Sequence, residues 1–238
     1  MPVNLEKQVV LVVGASSGIG RETAVQFARE GARVMAAARR EDRLAALKKE
    51  ARSIETSVAD ASKLEDMERL ARETESRLGP IDILVYNTGT NVKARALVNL
   101  TPAVWDMMIS VNLTGAYYIT QAVLPGMRAR RAGHIIYVSS ISGIVPDVSG
   151  AAYQAAKRGI IGLAHAIRVE ERERGIRTCA VCPGLVGTEI LENRPVKPPA
   201  ETLAKALKPE DVAEAIVMVA KMPPRVAVPE MQVMPTVL

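Results

Sequence analysis

The feature that most constrains this chain is a recurrence of short apolar runs rich in valine and isoleucine. They read "QVVLVV", "RVMAAA", "DILVY", "HIIYVSS" and "RTCAVC", with a weaker one, "IETSVAD", between the second and third. Each is continuous rather than alternating, the pattern of strands covered on both faces in a parallel sheet. Stretches of helical periodicity lie between them, at 21–30, 41–51, 62–77, 103–130 and 151–174. That alternation predicts an α/β fold: one doubly wound parallel sheet of about seven strands flanked by helices, in a single domain over residues 1–238. The irregular stretch is "ENRPVKPPAETLAKALKPED", proline-rich and charged, which reads as a substrate flap over approximately 187–208.

Composition excludes several classes of function. The net charge of +5 invites a nucleic-acid reading, but only 3% of residues are aromatic and the arginines are interspersed with glutamates. A salt-bridged, solvated surface without stacking platforms fits that pattern better, so no nucleic-acid partner is expected. No apolar run approaches the roughly 18 residues of a membrane span, and the start "MPVNLEKQ" has no basic-then-apolar leader, so a cytoplasmic protein without membrane partners is expected. Cys179 and Cys182 form a C-x-x-C spacing inside an apparent strand. Strand residues three apart face opposite sides, and no second cysteine pair exists, so structural thiols and no metal site are expected.

The run Gly14-Ala15-Ser16-Ser17-Gly18-Ile19-Gly20 follows the first strand and opens a helix. Gly14-x-Ser16-x-Gly18 could be a hydrolase nucleophile elbow, which requires an acid and then a histidine downstream. The histidines are His134, which begins a strand at the end opposite such a site, and His165, in mid-helix. Neither position serves. The alternative is a glycine turn whose helix N-terminus cradles a pyrophosphate. The second strand then ends Ala38-Arg39-Arg40, where an NAD site would carry a carboxylate for the ribose hydroxyl. Arginine there suits a 2′-phosphate and points to NADP(H).

Chemistry enters with "HIIYVSSISGIVPDVSGAAYQAAKRG". Tyr153 and Lys157 are four apart on one helix face. A phenol has a pKa near 10, and a cation held beside it would bring that value toward the working range. Ser140 ends the preceding strand, where its hydroxyl could polarise a carbonyl that Tyr153 protonates.

With these elements in order, the chain resembles the classical short-chain dehydrogenase/reductase family, and more loosely its NADP-preferring carbonyl-reductase branch. The resemblance implies a catalytic quartet of Asn112, Ser140, Tyr153 and Lys157, with Asn112 sustaining a proton-relay water. It implies cofactor contacts from Gly14, Ser16, Ser17, Gly18, Ile19, Gly20, Arg39, Arg40, Asp60, Asn87 and Gly89. Tyr153, Lys157, Pro183, Gly184, Val186 and Thr188 complete that set. It also implies assembly through the helix around Asn112 and the helix of Tyr153, as a homotetramer first and a dimer second.

Two positions depart from the family pattern. Val13 replaces its threonine, and "YNTG" at 86–89 replaces NNAG, so Tyr86 is expected to pack over Val13. Ser140, Ile141, Val145, Tyr153 and Leu185 are the expected substrate contacts; with Val186 they suggest a ketone or aldehyde with an apolar body. A hydroxy-acid dehydrogenase is the alternative, favoured if Arg194 or Lys197 lines the mouth. A catalytically silent NADP-binding regulatory protein is the rival from another class.

Overall fold

The computed structural model describes residues 2–237. Its strands are β1 (Val9–Val13), β2 (Arg33–Ala38), β3 (Ile54–Val58), β4 (Ile83–Tyr86), β5 (Gly133–Val138), β6 (Ile176–Pro183) and β7 (Glu230–Val233). They pair in parallel in the order β3-β2-β1-β4-β5-β6-β7. The helices are α1 (Gly18–Arg29), α2 (Glu41–Glu50), α3 (Leu64–Leu78), α4 (Pro102–Ile109), α5 (Gly115–Arg130), α6 (Ala151–Glu171), α7 (Ala200–Ala204) and α8 (Pro209–Ala220). This is the doubly wound sheet that the apolar runs predict.

Continuous hydrophobicity has the expected cause. Leu11, Met35, Leu84 and Ile135 join one core with α3, α5 and α6, whereas Val10, Val12, Val34 and Ile136 join a second with α1 and α8. Both strand faces are therefore covered. Cys182 belongs to the first core and Cys179 to the second, so the two thiols point to opposite sides and are free and buried. Burial pushes both up to about 12. Among the described residues no helix is long and apolar enough to cross a membrane, and no cluster of three metal-ligating side chains exists.

The strand order reverses between β1 and β4, which opens a crevice at their carboxyl ends. The helical stretch expected over 103–130 is interrupted there. Ser110–Thr114 forms a π-turn between α4 and α5. Asn112 supplies a physical reason: its side-chain Nδ2 donates to the Met108 carbonyl at 2.8 Å, competing with the backbone ladder. Segment 187–208 is not structureless, since it holds a 3-10 turn (Glu189–Asn193) and α7. An isolated parallel bridge between Val186 and Leu207 closes its base.

Candidate active site

A cleft of about 490 Å³ runs along the carboxyl ends of the strands, a size typical of ligand pockets. Neither histidine lines it, so no Ser-His pair forms. One end is the glycine turn. Gly14 has φ +92°, and a Cβ there would lie 2.8 Å from the Thr88 nitrogen; one at Gly20 would lie 2.2 Å from the Gly14 oxygen. These glycines let β1, α1 and the β4 end pack without side chains between them. Ser16, Ser17, Gly18 and Ile19 face the cleft at the N-terminus of α1, where free N–H groups favour an anion.

The arginines after β2 share the work unequally. Arg40 donates to Ser16 Oγ at 2.9 Å and to Ser17 Oγ at 2.7 Å, and its other terminal nitrogen pairs with Glu189 at 2.8 Å. Arg39 also lines the cleft, but its side chain makes no hydrogen bond among the described residues. Glu189, at the start of segment 187–208, is held below the usual carboxylate range chiefly by its hydrogen bond from Arg40. Asp60, Asn87, Gly89, Pro183, Gly184, Val186 and Thr188 line the same cleft. Gly18 is packed against Thr188, whose Cγ2 is 3.0 Å from the position a Cβ would take. Two expected contacts sit behind the wall rather than on it: Gly20, whose part is packing, and fully buried Asn112.

Ser140, Tyr153 and Lys157 meet at the middle of the cleft. Gly150, with φ +90°, ends the loop before α6 and sets the helix on which Tyr153 and Lys157 share a face. Lys157 Nζ donates to the Val138 carbonyl at 3.0 Å and lies 5.7 Å from the Tyr153 ring centroid. Asn112 Oδ1 accepts from the Thr90 N–H at 3.0 Å while Nδ2 donates to the Thr90 and Met108 carbonyls. Its amide thus ties the loop after β4 to the π-turn. A Cβ at Gly89 would stand 3.2 Å from Asn112 Oδ1 and 3.3 Å from Lys157 Nζ, so this glycine keeps the gap between them open.

The electrostatics differ from the sequence expectation. Desolvation raises the Tyr153 phenol to about 12, and the groups opposing it are a Ser140 hydrogen bond, Arg194 and Arg95 rather than Lys157. Lys157 is itself lowered to about 8 by burial. The reason is local: Lys157 is itself buried, and its ammonium is aimed at the neutral Val138 carbonyl rather than at a carboxylate.

At the far end the lining of the cleft differs from the expected set. Ile141 and Leu185 line the cleft, but Val145 does not; it is 45% exposed on the outside of the turn after Ser140. Arg194 faces the cleft, whereas Lys197 is paired with Glu192 and stays outside it. Asp147, Ser142 and Ser149 form a network that the sequence motifs do not mark. Asp147 accepts from Ser142 Oγ at 2.5 Å, from Ser149 Oγ at 2.9 Å and from the Ser149 N–H at 2.8 Å. Ser142 in turn accepts from Ser140 Oγ at 3.2 Å. The recurring serines around one aspartate in "SSISGIVPDVSG" were the available signal. Arg95, also missed, reaches the cleft from the loop after β4 and carried none.

At Val13 and Tyr86 the expected packing is present. The two residues are register partners across β1 and β4, and Tyr86 is fully buried in the same core as Val13. Its hydroxyl is not spent on apolar contact, however: it donates to the Val111 carbonyl at 2.7 Å, in the π-turn.

Comparison with known proteins agrees with this geometry. The short chain dehydrogenase family model matches residues 8–198. A 3-oxoacyl-[acyl-carrier-protein] reductase of Thermotoga maritima is 35% identical over 227 residues, covering 92% of both chains. The closed form of a serine dehydrogenase complexed with NADP+ superposes with a TM-score of 0.88 at 32% identity, over 95% of this chain and 94% of that one. An actinorhodin polyketide ketoreductase with NADPH gives 0.89 at 29% identity, over 99% and 98%. The chain belongs to the short-chain dehydrogenase family. It is an oxidoreductase by that membership, and its fold supports hydride transfer on a small molecule.

Proposed function

We propose that this protein is an NADP(H)-dependent oxidoreductase that interconverts a carbonyl and an alcohol, working chiefly to reduce a ketone or aldehyde. The observation that carries the reading is the meeting of Ser140, Tyr153 and Lys157 midway along a cleft whose other end holds the glycine turn and Arg40. Two structural relatives are complexes with NADP+ and NADPH, which supports the same cofactor here. The glycine turn leaves α1 N–H groups open for a pyrophosphate, and Arg40, Arg39, Ser16 and Ser17 suit a 2′-phosphate. When bound, the nicotinamide supplies the hydride.

The chain's own residues handle the oxygen. A phenol raised to about 12 is fully protonated at neutral pH, the state a proton donor requires. Tyr153 passes that proton to the substrate oxygen, and Ser140 steadies the same oxygen by a hydrogen bond. Lys157 stands close enough to balance the phenolate left behind, while Asn112 holds the loop that borders it. Segment 187–208 acts as the flap, since Glu189 at its start already touches Arg40. We also infer a cytoplasmic homotetramer, or failing that a dimer, joined through α4, α5 and α6; exposed Trp105, Met107 and Tyr117 mark this surface.

The test is NADPH oxidation against a panel of ketones, aldehydes and oxo acids, with NADH as the paired control. Tyr153→Phe should lower turnover by about 10³-fold, within the usual worth of a positioned acid, while leaving NADPH affinity within a factor of about three. NADPH binding without turnover in the unmodified protein would favour the silent regulatory reading instead.

A further inference from the structure

The substrate end of the cleft contains an arginine without a partner. Arg95 is only 9% exposed, its Nε is buried without a hydrogen bond, and its guanidinium forms no ion pair among the described residues. A buried guanidinium N–H left unpaired is costly, because a polar group removed from water needs a partner. Its position is nonetheless fixed. A Cβ at Gly150 would lie 2.7 Å from the Arg95 carbonyl oxygen, so only glycine lets this loop pack on the start of α6. Asn91 Nδ2 adds a hydrogen bond of 3.0 Å to the Ser149 carbonyl.

A second arginine faces the same space. Arg194 comes from segment 187–208 and lies near enough to disfavour the charge on Arg95. Besides Lys157, the charged groups that bear on Tyr153 are Asp147, Arg194 and Arg95. Asp147 is the one carboxylate of the three, and its oxygens are committed to Ser142 and Ser149. With Lys157 also beside the phenol, cations outnumber carboxylates at this end, and Arg95 forms no ion pair among the described residues.

Resting on the reductase reading above, we propose that the substrate is an oxo acid whose carboxylate is held by Arg95, with Arg194 closing on it from the flap. A carboxylate brings one negative charge to Arg95; a dianionic phosphate ester would bring a second one beside Asp147. Arginine's planar fork takes both carboxylate oxygens at once, which fixes the carbonyl relative to Tyr153 as well as adding affinity. The apolar Ile141 and Leu185 then contact the carbon skeleton between the two ends.

The test compares matched pairs. Alpha-, beta- and gamma-oxo acids are assayed against their methyl esters with NADPH, in the unmodified protein, Arg95→Gln and Arg95→Lys. The readout is the acid-to-ester ratio of kcat/KM. At least one acid should exceed its ester tenfold or more, and Arg95→Gln should cut that ratio at least tenfold, through KM. Arg95→Lys, which keeps the charge, should retain more of the ratio than Arg95→Gln. A ratio near one in the unmodified protein, or one that survives Arg95→Gln, would overturn the proposal. A calorimetric arm separates it from the reductase reading: butyrate, but not butyramide or inorganic phosphate, should bind the NADP+ complex and lose that binding in Arg95→Gln. If butyrate binds in this way but no carbonyl is turned over, the anion site stands and the reductase reading fails. Tighter binding of phosphate than of butyrate would overturn the carboxylate assignment.

Discussion

The two halves of the cleft are built by opposite means. The cofactor half is made of absences: Gly14, Gly18, Gly20 and Gly89 occupy places where a Cβ would strike backbone or side-chain atoms at 3.2 Å or less. The substrate half is made of presences, a layer of Ser142, Asp147, Ser149, Arg95 and Arg194 that is largely connected by hydrogen bonds and charge. A site that binds by backbone approach tolerates little change of residue type. A site that binds by side chains keeps its scaffold while its specificity alters, which is how one fold hosts many substrates.

That contrast can be broken most directly at Gly20. In Gly20→Ala the new methyl would sit 2.2 Å from the Gly14 oxygen and 2.6 Å from Asn87 Nδ2. Displacing the turn should cost about 1–3 kcal/mol of stability and at least tenfold in NADPH affinity, read by thermal melting and fluorescence titration. Val145→Ala, on the exposed rim of the substrate half, should stay within about 0.5 kcal/mol. Equal effects of the two would erase the distinction.

The middle of the cleft gives a pH test. Lys157 titrates near 8 rather than at its ordinary 10.5, so its ammonium is lost as pH rises through about 8. Tyr153 keeps its proton until about 12. The kcat/KM for reduction should therefore be level below pH 8 and fall about tenfold per unit above it, although the proton donor is still protonated. A profile flat to pH 10 would show that the lysine charge is dispensable for reduction.

The unequal legibility of the two halves follows from the same contrast. Glycines at fixed intervals after a strand, and a tyrosine and lysine one helical turn apart, are local patterns that sequence displays openly. Arg95 is different. Its importance depends on Gly150, on Asn91 reaching Ser149, and on Arg194 arriving about a hundred residues later, none of which spacing reveals. The π-turn at Asn112 was hidden for a related reason: hydrophobic periodicity over 103–130 continues through it, and only the Asn112–Met108 hydrogen bond exposes the break. Val145 was misplaced because a position shortly after Ser140 does not say which way the intervening 3-10 turn directs its side chain.

Within the cofactor half the structure divides two adjacent arginines that the sequence treats alike. Arg40 already bonds both serines of the glycine turn, whereas Arg39 is exposed and unbonded. Arg40→Ala should raise the KM for NADPH about tenfold, about 1.4 kcal/mol, with little change for NADH. Arg39→Asp should have the smaller effect on stability of the turn but still oppose a 2′-phosphate by charge. If Arg39→Asp alone abolishes the NADPH preference and Arg40→Ala leaves it intact, the assignment of the two is reversed.

The smallest expected effect probes where the cofactor half itself departs from the family pattern. If Tyr86 served only as apolar filling over Val13, phenylalanine would do as well. Instead its hydroxyl answers the buried Val111 carbonyl, and Gly115 makes room for it, since a Cβ there would lie 2.5 Å from the Tyr86 oxygen. Tyr86→Phe removes that hydrogen bond inside the core, a loss of about 0.5–1.5 kcal/mol. For a chain of this length each kcal/mol lowers the melting temperature by about 2–4 °C. Val111 precedes Asn112, so the same change loosens the turn that holds the loop bordering Lys157. Turnover should fall a few-fold with NADPH affinity nearly constant, and a Tyr86→Phe protein with unaltered melting and kinetics would return Tyr86 to plain packing.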